Sequence, residues 1–308
     1  MRILVTGGCG FVGTALVDHL LDAGANVIVV DDLSRGRFRP GDETRDRLTF
    51  IRGDIRDHSL LQQACERYEV EGVAHLAAMH FIPDCDADPD ACLSINVEGT
   101  QSVLDATMPV DSVRGVVFAS TAAVYAPDSS PHSERSKVLP TDVYGMSKLA
   151  AEQLVRRASA QHGKPAGVAR LFNVYGPGET NPHLIPTIFS QASERGQLSL
   201  GNLDTARDYV FTQDVARGLT ALMDEVSRGR SLLCNFGTGM ALSGREVVAH
   251  VEDLLGTPLE IEVDPTKVRR SDRPLLCADP AYAGNILGWR PLTTFAQGLI
   301  AARAEPTQ

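Results

Sequence analysis

The sequence predicts an α/β fold organised around a doubly wound parallel sheet. In the first half of the chain, short apolar runs rich in β-branched residues alternate with stretches of helical periodicity. The apolar runs are continuous, as expected for strands that are buried on both faces. Strand and helix patterns that follow each other in this way indicate repeated βαβ units with right-handed crossovers.

The predicted elements start at the beginning of the chain. RILVT at 2–6 is the first strand, and residues 11–24 form a helix whose leucines recur at helical spacing and which stops at Gly24. Further strands are predicted at 26–32, 48–54, 72–78 and 115–121, and further helices at 57–69, 91–107 and 144–157. The polar segment 36–47 has no periodicity and is predicted to be a solvated loop. Residues 243–246 spell SGRE, a capping box that opens a helix at 244–255.

The composition indicates a globular protein without a nucleic-acid or membrane surface. Of the 308 residues, 43% are hydrophobic and 22% are charged, and the formal net charge is −10. This acidic balance argues against binding to nucleic acid or to an anionic membrane. No apolar run approaches the roughly 20 residues that span a bilayer, and the N-terminus has no secretory signal. We therefore expect a soluble cytoplasmic protein.

The six cysteines are expected to be free thiols. They are scattered along the chain, without a C-x-x-C pair and without a histidine at metal-ligand spacing. Single buried thiols are typical of a reducing compartment, so the sequence predicts neither a disulfide nor a metal site.

A glycine-rich turn joins the first strand to the first helix. VTGGCGFVG at 5–13 places Gly7, Gly10 and Gly13 where a tight turn, close approach of a pyrophosphate and helix–strand packing need them. The phosphates would meet the free N–H groups at the helix N-terminus. Asp31 ends the second strand, where its carboxylate can bind an adenosine ribose and repel a 2′-phosphate. The pattern predicts a Rossmann-type domain that binds NAD rather than NADP.

Two other features bear on the cofactor. Arg35 and Arg37 follow Asp31 closely and could counter its preference for NAD. Asp54, in the GD of 53–54, suits a contact with the adenine edge, and an ordinary turn aspartate is the alternative.

Tyr144 and Lys148 lie four residues apart at the start of a predicted helix, so their side chains share one face. An unperturbed tyrosine, with a pKa of about 10, is a poor base at neutral pH. A neighbouring ammonium and the positive nicotinamide ring of an oxidised cofactor both favour tyrosinate. Thr121, at the end of the strand 115–121, could hydrogen-bond the same substrate oxygen. The three side chains predict a proton-transfer site beside the cofactor.

Short motifs run along nearly the whole chain: TGGCGFVG, VVDD, GDIRD, HLAA, NVEGT (96–100), ST (120–121), YGMSK (144–148), RLFNVYGPG (170–178), RDYV (207–210) and LGWRP (287–291). With these motifs the chain resembles the extended short-chain dehydrogenases/reductases, in the group of nucleotide-sugar epimerases and dehydratases. The resemblance implies that Thr121, Tyr144 and Lys148 are the catalytic triad. It also implies NAD as the cofactor and a nucleoside-diphosphate sugar as the substrate.

The resemblance places further residues in the two halves of the site. Asn173 is expected to bind the substrate, and Arg207 and Arg269 are expected to contact its diphosphate. The expected cofactor-binding residues are Gly7, Gly10, Phe11, Val12, Gly13, Asp31, Asp32, Asp54, Ile55, Leu76, Ala77, Ala78, Tyr144 and Lys148. The expected substrate-binding residues are His80, Thr121, Asn173, Glu179, His183, Leu184, Arg207 and Arg269.

Ala122 and Ala123, which follow Thr121, bear on the type of reaction. Family dehydratases and decarboxylases carry a glutamate at this place, and 3,5-epimerases carry a cysteine near it. An alanine can neither donate nor abstract a proton, so a reaction that needs only the triad and NAD remains. The resemblance therefore implies a 4-epimerase of a UDP- or GDP-hexose that works through a transient 4-keto sugar, and it disfavours a 4,6-dehydratase.

Other features leave related reactions open. GNLDTARDY (201–209) and SDRPLLCADP (271–280) are closer to GDP-mannose-type dehydratases and reductases, so the base could be guanine. His80, Glu179 or His183 could supply the acid or base that residues 122 and 123 lack. The alternative is a 4-keto-sugar reductase, or an unusual isomerase or mutase that uses one of these three side chains. The complete triad disfavours a non-catalytic nucleotide sensor.

The expected layout is a larger lobe and a smaller C-terminal α/β lobe. Residues 1–170 are expected to bind NAD, and residues 211–238 are expected to return to this lobe. Residues 171–210 and 239–308 are expected to bind the substrate. By resemblance, the helices at 91–107 and 144–162 would pair two subunits in a homodimer.

Overall fold

The computed structural model of the chain describes residues 1–36, 45–194, 197–267 and 273–304. The strands are β1 (Arg2–Thr6), β2 (Asn26–Asp31), β3 (Leu48–Arg52), β4 (Gly72–His75), β5 (Val116–Thr121), β6 (Ala166–Leu171), β7 (Asn173–Tyr175), β8 (Gln197–Leu200), β9 (Ala206–Phe211), β10 (Leu232–Phe236), β11 (Ala241–Ser243), β12 (Glu260–Val263) and β13 (Leu275–Leu276). The helices are α1 (Phe11–Asp22), α2 (His58–Arg67), α3 (Ile82–Ala87), α4 (Pro89–Leu93), α5 (Gly99–Thr107), α6 (Val143–His162), α7 (Leu184–Glu194), α8 (Thr212–Ser227), α9 (Gly244–Leu255), α10 (Ala281–Leu287) and α11 (Phe295–Ala304).

Seven parallel strands form the large sheet, in the order β3-β2-β1-β4-β5-β6-β10. The chain builds outward from β1 to β3, crosses to β4 and then builds outward in the other direction. β1 and β4 are therefore neighbours whose crossovers run to opposite sides. Doubly wound sheets bind their ligands at such a switch point, outside the carboxyl ends of the strands.

Helices cover both faces of this sheet and bury its apolar side chains. On one face Leu16 of α1 and Leu219 of α8 pack against Val5 of β1. On the other face Val103 of α5 and Val155 of α6 belong to a second cluster, which also contains residues of α2. The predicted fold class, an α/β doubly wound parallel sheet, is confirmed. Among the described helices, none has the length and apolar character needed to cross a membrane.

A smaller sheet forms around β9. β9 pairs with β7 and β13 in parallel and with β11 in antiparallel orientation, while β8 and β12 form a separate parallel pair. A third core lies under these strands and is lined by α7, α9 and α11, with Ile188, Leu198, Val247 and Leu299 all buried. The described chain therefore has a second packing centre beside the large sheet.

Two local predictions can be compared with the structure. The predicted capping box is confirmed, because the Ser243 hydroxyl accepts from Glu246 N–H and the Glu246 carboxylate accepts from Ser243 N–H. The predicted helix at 91–107 is interrupted: α4 passes into one π-helical turn, Ser94–Glu98, before α5 begins. Most of the predicted loop at 36–47 lies outside the described residues.

Candidate active site

A cleft of about 1430 Å³ opens at the carboxyl ends of the parallel strands. Gly7 after β1, Asp32 after β2, Leu76 after β4 and Ala122 after β5 line it, and Arg207 of β9 lines its other side. All of the residues that the sequence predicts to bind the cofactor line this one cleft. The predicted substrate-binding residues line it as well, except Arg269, which lies outside the described residues.

The glycine turn is shaped by close contacts that exclude larger side chains. Gly7 has a φ of 71°, and a Cβ at this position would lie 2.6 Å from the backbone nitrogen of Ala77. A Cβ at Gly13 would lie 2.0 Å from the carbonyl oxygen of Gly7. Within the described chain, no side chain caps the N-terminus of α1 at Gly10. Uncapped N–H groups beside a cleft suit a pyrophosphate, so these residues fit a dinucleotide.

Asp31 is buried beside this turn. Its carboxylate accepts hydrogen bonds from the backbone N–H of Cys9 (3.0 Å) and of Leu33 (2.8 Å). Burial raises the pKa of Asp31, and these two hydrogen bonds lower it. Asp31 thus joins the glycine turn to the loop after β2, at the strand end where a ribose is bound in this type of sheet. Arg35, on that loop, pairs with Asp84 of α3.

The remaining residues that the sequence predicts to bind the cofactor form a largely apolar wall of the cleft. Ile55, Leu76, Ala77 and Ala78 line the cleft next to Asp54. A hydrogen bond with the Arg56 guanidinium lowers the pKa of Asp54, so this carboxylate is ionised at neutral pH. Apolar side chains beside one carboxylate suit an adenine ring with its polar edge.

His75, in the HLAA motif, holds the end of β4 in place. Its Nδ1 is hydrogen-bonded to the Thr6 hydroxyl (2.7 Å) and its Nε2 to the Thr100 hydroxyl (2.9 Å). Burial lowers the pKa of His75 to about 3, with a contribution from the nearby Lys148, so the ring is neutral. The neutral ring ties β4 to β1 and α5 at the point where the cleft begins.

The structure brings Thr121, Tyr144 and Lys148 together. Thr121 is the last residue of β5, and Tyr144 and Lys148 lie on the first two turns of α6. Asp142 fixes the start of this helix by accepting a hydrogen bond from the N–H of Gly145 (2.7 Å). Burial raises the pKa of Tyr144, and the interaction of its hydroxyl with the Thr121 side chain lowers it.

The two neighbouring hydroxyls at the end of β5 have different partners. Ser120 donates a hydrogen bond to the buried carboxylate of Glu152 (2.5 Å). Thr121 contacts Tyr144, and its oxygen also accepts from the N–H of Ala123 (3.1 Å). Because successive side chains of a strand point to opposite sides, only one of Ser120 and Thr121 can face Tyr144. Thr121 is that residue, as the sequence predicts.

Lys148 is almost fully buried, with 2% of its surface exposed. Its Nζ lies 4.2 Å from the centre of the Phe118 ring, and the carboxylate of Glu152 lies one helical turn further along α6. Burial lowers the pKa of Lys148 to about 7, although the charge of Glu152 opposes this shift. The charge of Lys148 therefore responds to its surroundings near neutral pH.

We expect Lys148→Met to stabilise the NAD-free protein at neutral pH, because a buried ammonium is replaced by an apolar side chain. Folding lowers the pKa of Lys148 from 10.5 to about 7. Between these values the unfolded chain binds the extra proton, so the stability of the unaltered protein rises with pH in this window. The variant lacks this titration. The free energy of unfolding of the variant is expected to exceed that of the unaltered protein by at least about 1 kcal/mol near pH 7. This difference should shrink towards about pH 10.

Urea unfolding of both proteins, without NAD and at several pH values across this window, measures the effect. Lys164→Met is a matched control, since Lys164 is a less buried lysine that donates a hydrogen bond to the carbonyl oxygen of Val110. A stability difference between Lys148→Met and the unaltered protein that stays constant with pH would contradict the prediction.

Asn96, in the NVEGT motif, was not assigned a role from the sequence. It lies in the π-helical turn, where its side chain accepts from Met79 N–H (2.8 Å) and donates to Met79 O (2.9 Å) and to the Ser147 hydroxyl (2.9 Å). Ser147 is the neighbour of Lys148 on α6. The turn therefore links the segment after β4 to helix α6, which carries Tyr144 and Lys148. The asparagine within a motif was the signal that could have identified it.

Arg273 was also missed, since the sequence offers three arginines in RRSDRP. Its buried guanidinium donates hydrogen bonds to the carbonyl oxygens of Ala123 (2.8 Å) and Tyr125 (2.7 Å). Ala123 lies in the short 3₁₀ turn that follows Thr121, and Tyr125 is the residue directly after that turn. Arg207 of β9 donates to the carbonyl oxygen of Arg273 (2.8 Å), so it is joined to this turn through Arg273. The two arginines thus connect the small sheet to the turn that follows Thr121.

Comparisons with known proteins agree with this geometry. A sequence model of the NAD dependent epimerase/dehydratase family matches residues 3–234. A UDP-glucose 4-epimerase of Streptomyces lividans is 34% identical over 306 residues, covering 94% of this chain and 91% of that protein.

Solved structures of related proteins have the same fold. The UDP-glucose 4-epimerase from Brucella ovis in complex with NAD is 29% identical, with a TM-score of 0.89 and coverage of 98% of this chain and 97% of that one. The UDP-glucose 4-epimerase from Thermotoga maritima with UDP-glucose is 27% identical, with a TM-score of 0.87 and coverage of 99% and 98%. The family resemblance and the NAD dependence expected from the motifs are confirmed. The chain belongs to the NAD dependent epimerase/dehydratase family.

Proposed function

We propose that the protein is an NAD-dependent UDP-hexose 4-epimerase, which interconverts UDP-glucose and UDP-galactose through a transient 4-keto sugar. The observation that carries this proposal is that Thr121, Tyr144 and Lys148 line the same cleft as the glycine turn of a dinucleotide-binding fold. The two residues that follow Thr121 in the chain are alanines, Ala122 and Ala123, which cannot transfer a proton. The UDP-glucose 4-epimerases among the relatives support uracil rather than guanine as the base.

The triad accounts for the proton transfers of this reaction. The glycine turn and Asp31 would hold NAD, which would supply the acceptor and donor of the hydride at the sugar carbon. Tyr144 removes the proton of the C4 hydroxyl as general base, and Thr121 hydrogen-bonds the same oxygen. A protonated Lys148, on the same face of α6, favours the tyrosinate form. Tyr144 returns the proton after the keto sugar has rotated, so the reaction needs no acid at residues 122 and 123.

The size and lining of the cleft support two ligands. Its volume of about 1430 Å³ exceeds the roughly 300–1,000 Å³ of a cleft for one small molecule. We assign NAD to residues 1–170 and 211–238, and the sugar nucleotide to residues 171–210 and 239–308. In this arrangement Arg207 faces the diphosphate and Asn173 faces the substrate.

A second copy of the chain is proposed to pair through the helices at 91–107 and 144–162. Leu93 and Met146 on these helices are 43% and 53% exposed. Exposed apolar side chains on paired helices suit a homodimer interface. Light scattering coupled to gel filtration is expected to give the mass of two chains, and a single-chain mass would contradict this.

Incubation of the purified protein with UDP-glucose, without added NAD, tests the proposed function. We expect UDP-galactose to appear, as measured by chromatography and NMR, and denaturation to release bound NAD. GDP-, dTDP- and CDP-hexoses in parallel reactions determine the base. Stoichiometric consumption of added NADH with a 4-keto sugar would instead indicate a reductase. The absence of any product across the panel would contradict the proposal.

A further inference from the structure

Glu179 and His183 form a polar pair in the cleft, apart from the triad. Glu179 lies in the loop after β7, and His183 directly precedes α7. The Glu179 carboxylate is hydrogen-bonded to Nδ1 of His183. The side chain of Glu179 is 6% exposed, whereas that of His183 is 38% exposed. The carboxylate is therefore enclosed by protein, and the imidazole is the member of the pair that a ligand and water can reach.

Asn181 joins this pair to the segment that follows β4. The side-chain amide of Asn181 is hydrogen-bonded to Nε2 of His80 (2.7 Å). The backbone carbonyl oxygen of Asn181 accepts a hydrogen bond from the backbone N–H of His183 (2.7 Å). His80 follows β4 and lines the cleft together with Ala78, in the half that is predicted to bind the cofactor. The loop from 179 to 183 is thus held in a defined position relative to the cofactor, as an acid–base group requires.

The pair and the triad line the same cleft. Burial lowers the pKa of His80 to about 4, and the charges of His183 and Lys148 both contribute. His80 is therefore neutral at pH 7, and the centre of its ring lies 6.4 Å from that of the His183 ring. The rings of His183 and Phe81 are 5.5 Å apart, so the imidazole has an apolar neighbour. Burial raises the pKa of Glu179, and the hydrogen bond from His183 lowers it.

This arrangement gives the imidazole the character of a base. With Glu179 ionised, Nδ1 of His183 carries a proton and donates it to the carboxylate, which leaves the lone pair on Nε2. The carboxylate thereby holds the imidazole in one orientation, with Nε2 turned away from Glu179 and available to accept a proton. The 4-keto sugar of the proposed reaction has C–H bonds at C3 and C5 beside its carbonyl group, and such bonds are the ones that a positioned base can ionise.

We propose that Glu179 and His183 are a second acid–base site, which exchanges a carbon-bound proton next to the keto group with solvent. This inference rests on the proposed function, because the 4-keto sugar must form first. His183 removes the proton from C3 or C5, and the electron pair of that bond moves into the carbonyl group to give an enolate. The imidazolium exchanges its proton with water and protonates the same carbon. No oxidant is needed, and return of the proton to the face from which it was removed restores the same sugar.

Reaction of the full-length protein with UDP-glucose in D₂O tests this inference. Hydride transfer at C4 is internal and leaves no deuterium on carbon, whereas the proposed exchange places deuterium at C3 or C5. Proton NMR and mass spectrometry of the UDP-hexose pool are expected to show deuterium at one of these carbons. Interconversion at C4 without deuterium on carbon overturns the second site and leaves the epimerase standing. The absence of both interconversion and deuterium overturns the proposed function and the second site together.

Variants assign the exchange to the pair. In His183→Asn and Glu179→Gln, the ratio of deuterium exchange to C4 interconversion, measured in the same tube, is expected to fall by about tenfold or more. Tyr144→Phe is the control that should lose both reactions, since it stops formation of the 4-keto sugar. Circular dichroism of each variant checks that it is folded. An unchanged ratio in folded His183→Asn overturns the assignment.

Discussion

Replacement of Tyr144 by phenylalanine is expected to lower the turnover of UDP-glucose by roughly 100-fold or more, because it removes the general base. The change deletes one oxygen, which interacts with the Thr121 side chain, and keeps the aromatic ring. The free energy of unfolding should therefore change by only about 1 kcal/mol, the value of a typical hydrogen bond. Steady-state kinetics of UDP-galactose formation and urea unfolding measure the two quantities.

Two changes at Thr121 are the matched controls. Thr121→Ser keeps the hydroxyl and should retain most of the turnover. Thr121→Val removes the hydroxyl but leaves the base, so its loss of turnover should be smaller than that of Tyr144→Phe. The valine also leaves the N–H of Ala123 without its present partner, since Thr121 accepts from it at 3.1 Å. Full turnover in Tyr144→Phe would remove the tyrosine from the mechanism.

The large sheet could be predicted because its signals are local. β1, β2 and β5 are continuous apolar runs since helices cover both faces of the sheet. The glycine spacing is likewise a local signal with a steric cause, as the 2.0 Å approach of a Cβ at Gly13 to the Gly7 carbonyl shows. Predicted ends were less accurate: the strand expected at 72–78 ends at His75, because the chain leaves the sheet there to line the cleft.

The small sheet could not be predicted from such patterns. β9 takes its three partners from β7, β11 and β13, which are only three, three and two residues long. Strands this short have no measurable periodicity, and their positions depend on the packing around β9. β8 and β12 pair across more than sixty residues of chain, from Gln197 to Glu260. Tertiary contacts rather than local propensity determine these elements.

The candidate site shows the same division. Thr121, Tyr144 and Lys148 could be proposed because a strand end and an i, i+4 pair on a helix are short-range features. Arg273 could not be proposed, because the two carbonyl groups that it contacts are distant in the chain. They belong to Tyr125 and Ala123, which precede Arg273 by 148 and 150 positions. The pairing of Glu179 with His183 could be predicted, since the two residues are four positions apart. The burial of the Glu179 carboxylate could not, because it depends on how the rest of the chain packs around it.

Glu152 and Arg170 form a buried ion pair behind the triad, and breaking it is expected to have the largest effect on stability. The two side chains are 2% and 5% exposed, and the guanidinium donates from Nε (2.9 Å) and Nη2 (2.7 Å) to the carboxylate. Glu152→Leu leaves the guanidinium buried without its counter-ion, which costs about 3–5 kcal/mol. It also removes the acceptor of the Ser120 hydroxyl at the end of β5.

The double variant Glu152→Leu/Arg170→Met separates the ion pair from the packing. Because both charges are removed, it should be more stable than Glu152→Leu alone, as urea unfolding of the set would show. The kinetic consequence has a defined sign. Glu152 opposes the lowering of the Lys148 pKa, so its loss should lower that pKa below about 7 and reduce the ammonium that favours tyrosinate. The alkaline limb of the pH–rate profile should therefore move to lower pH in the double variant. An unshifted limb, together with equal stability of the single and double variants, would show that the pair acts on neither the fold nor Lys148.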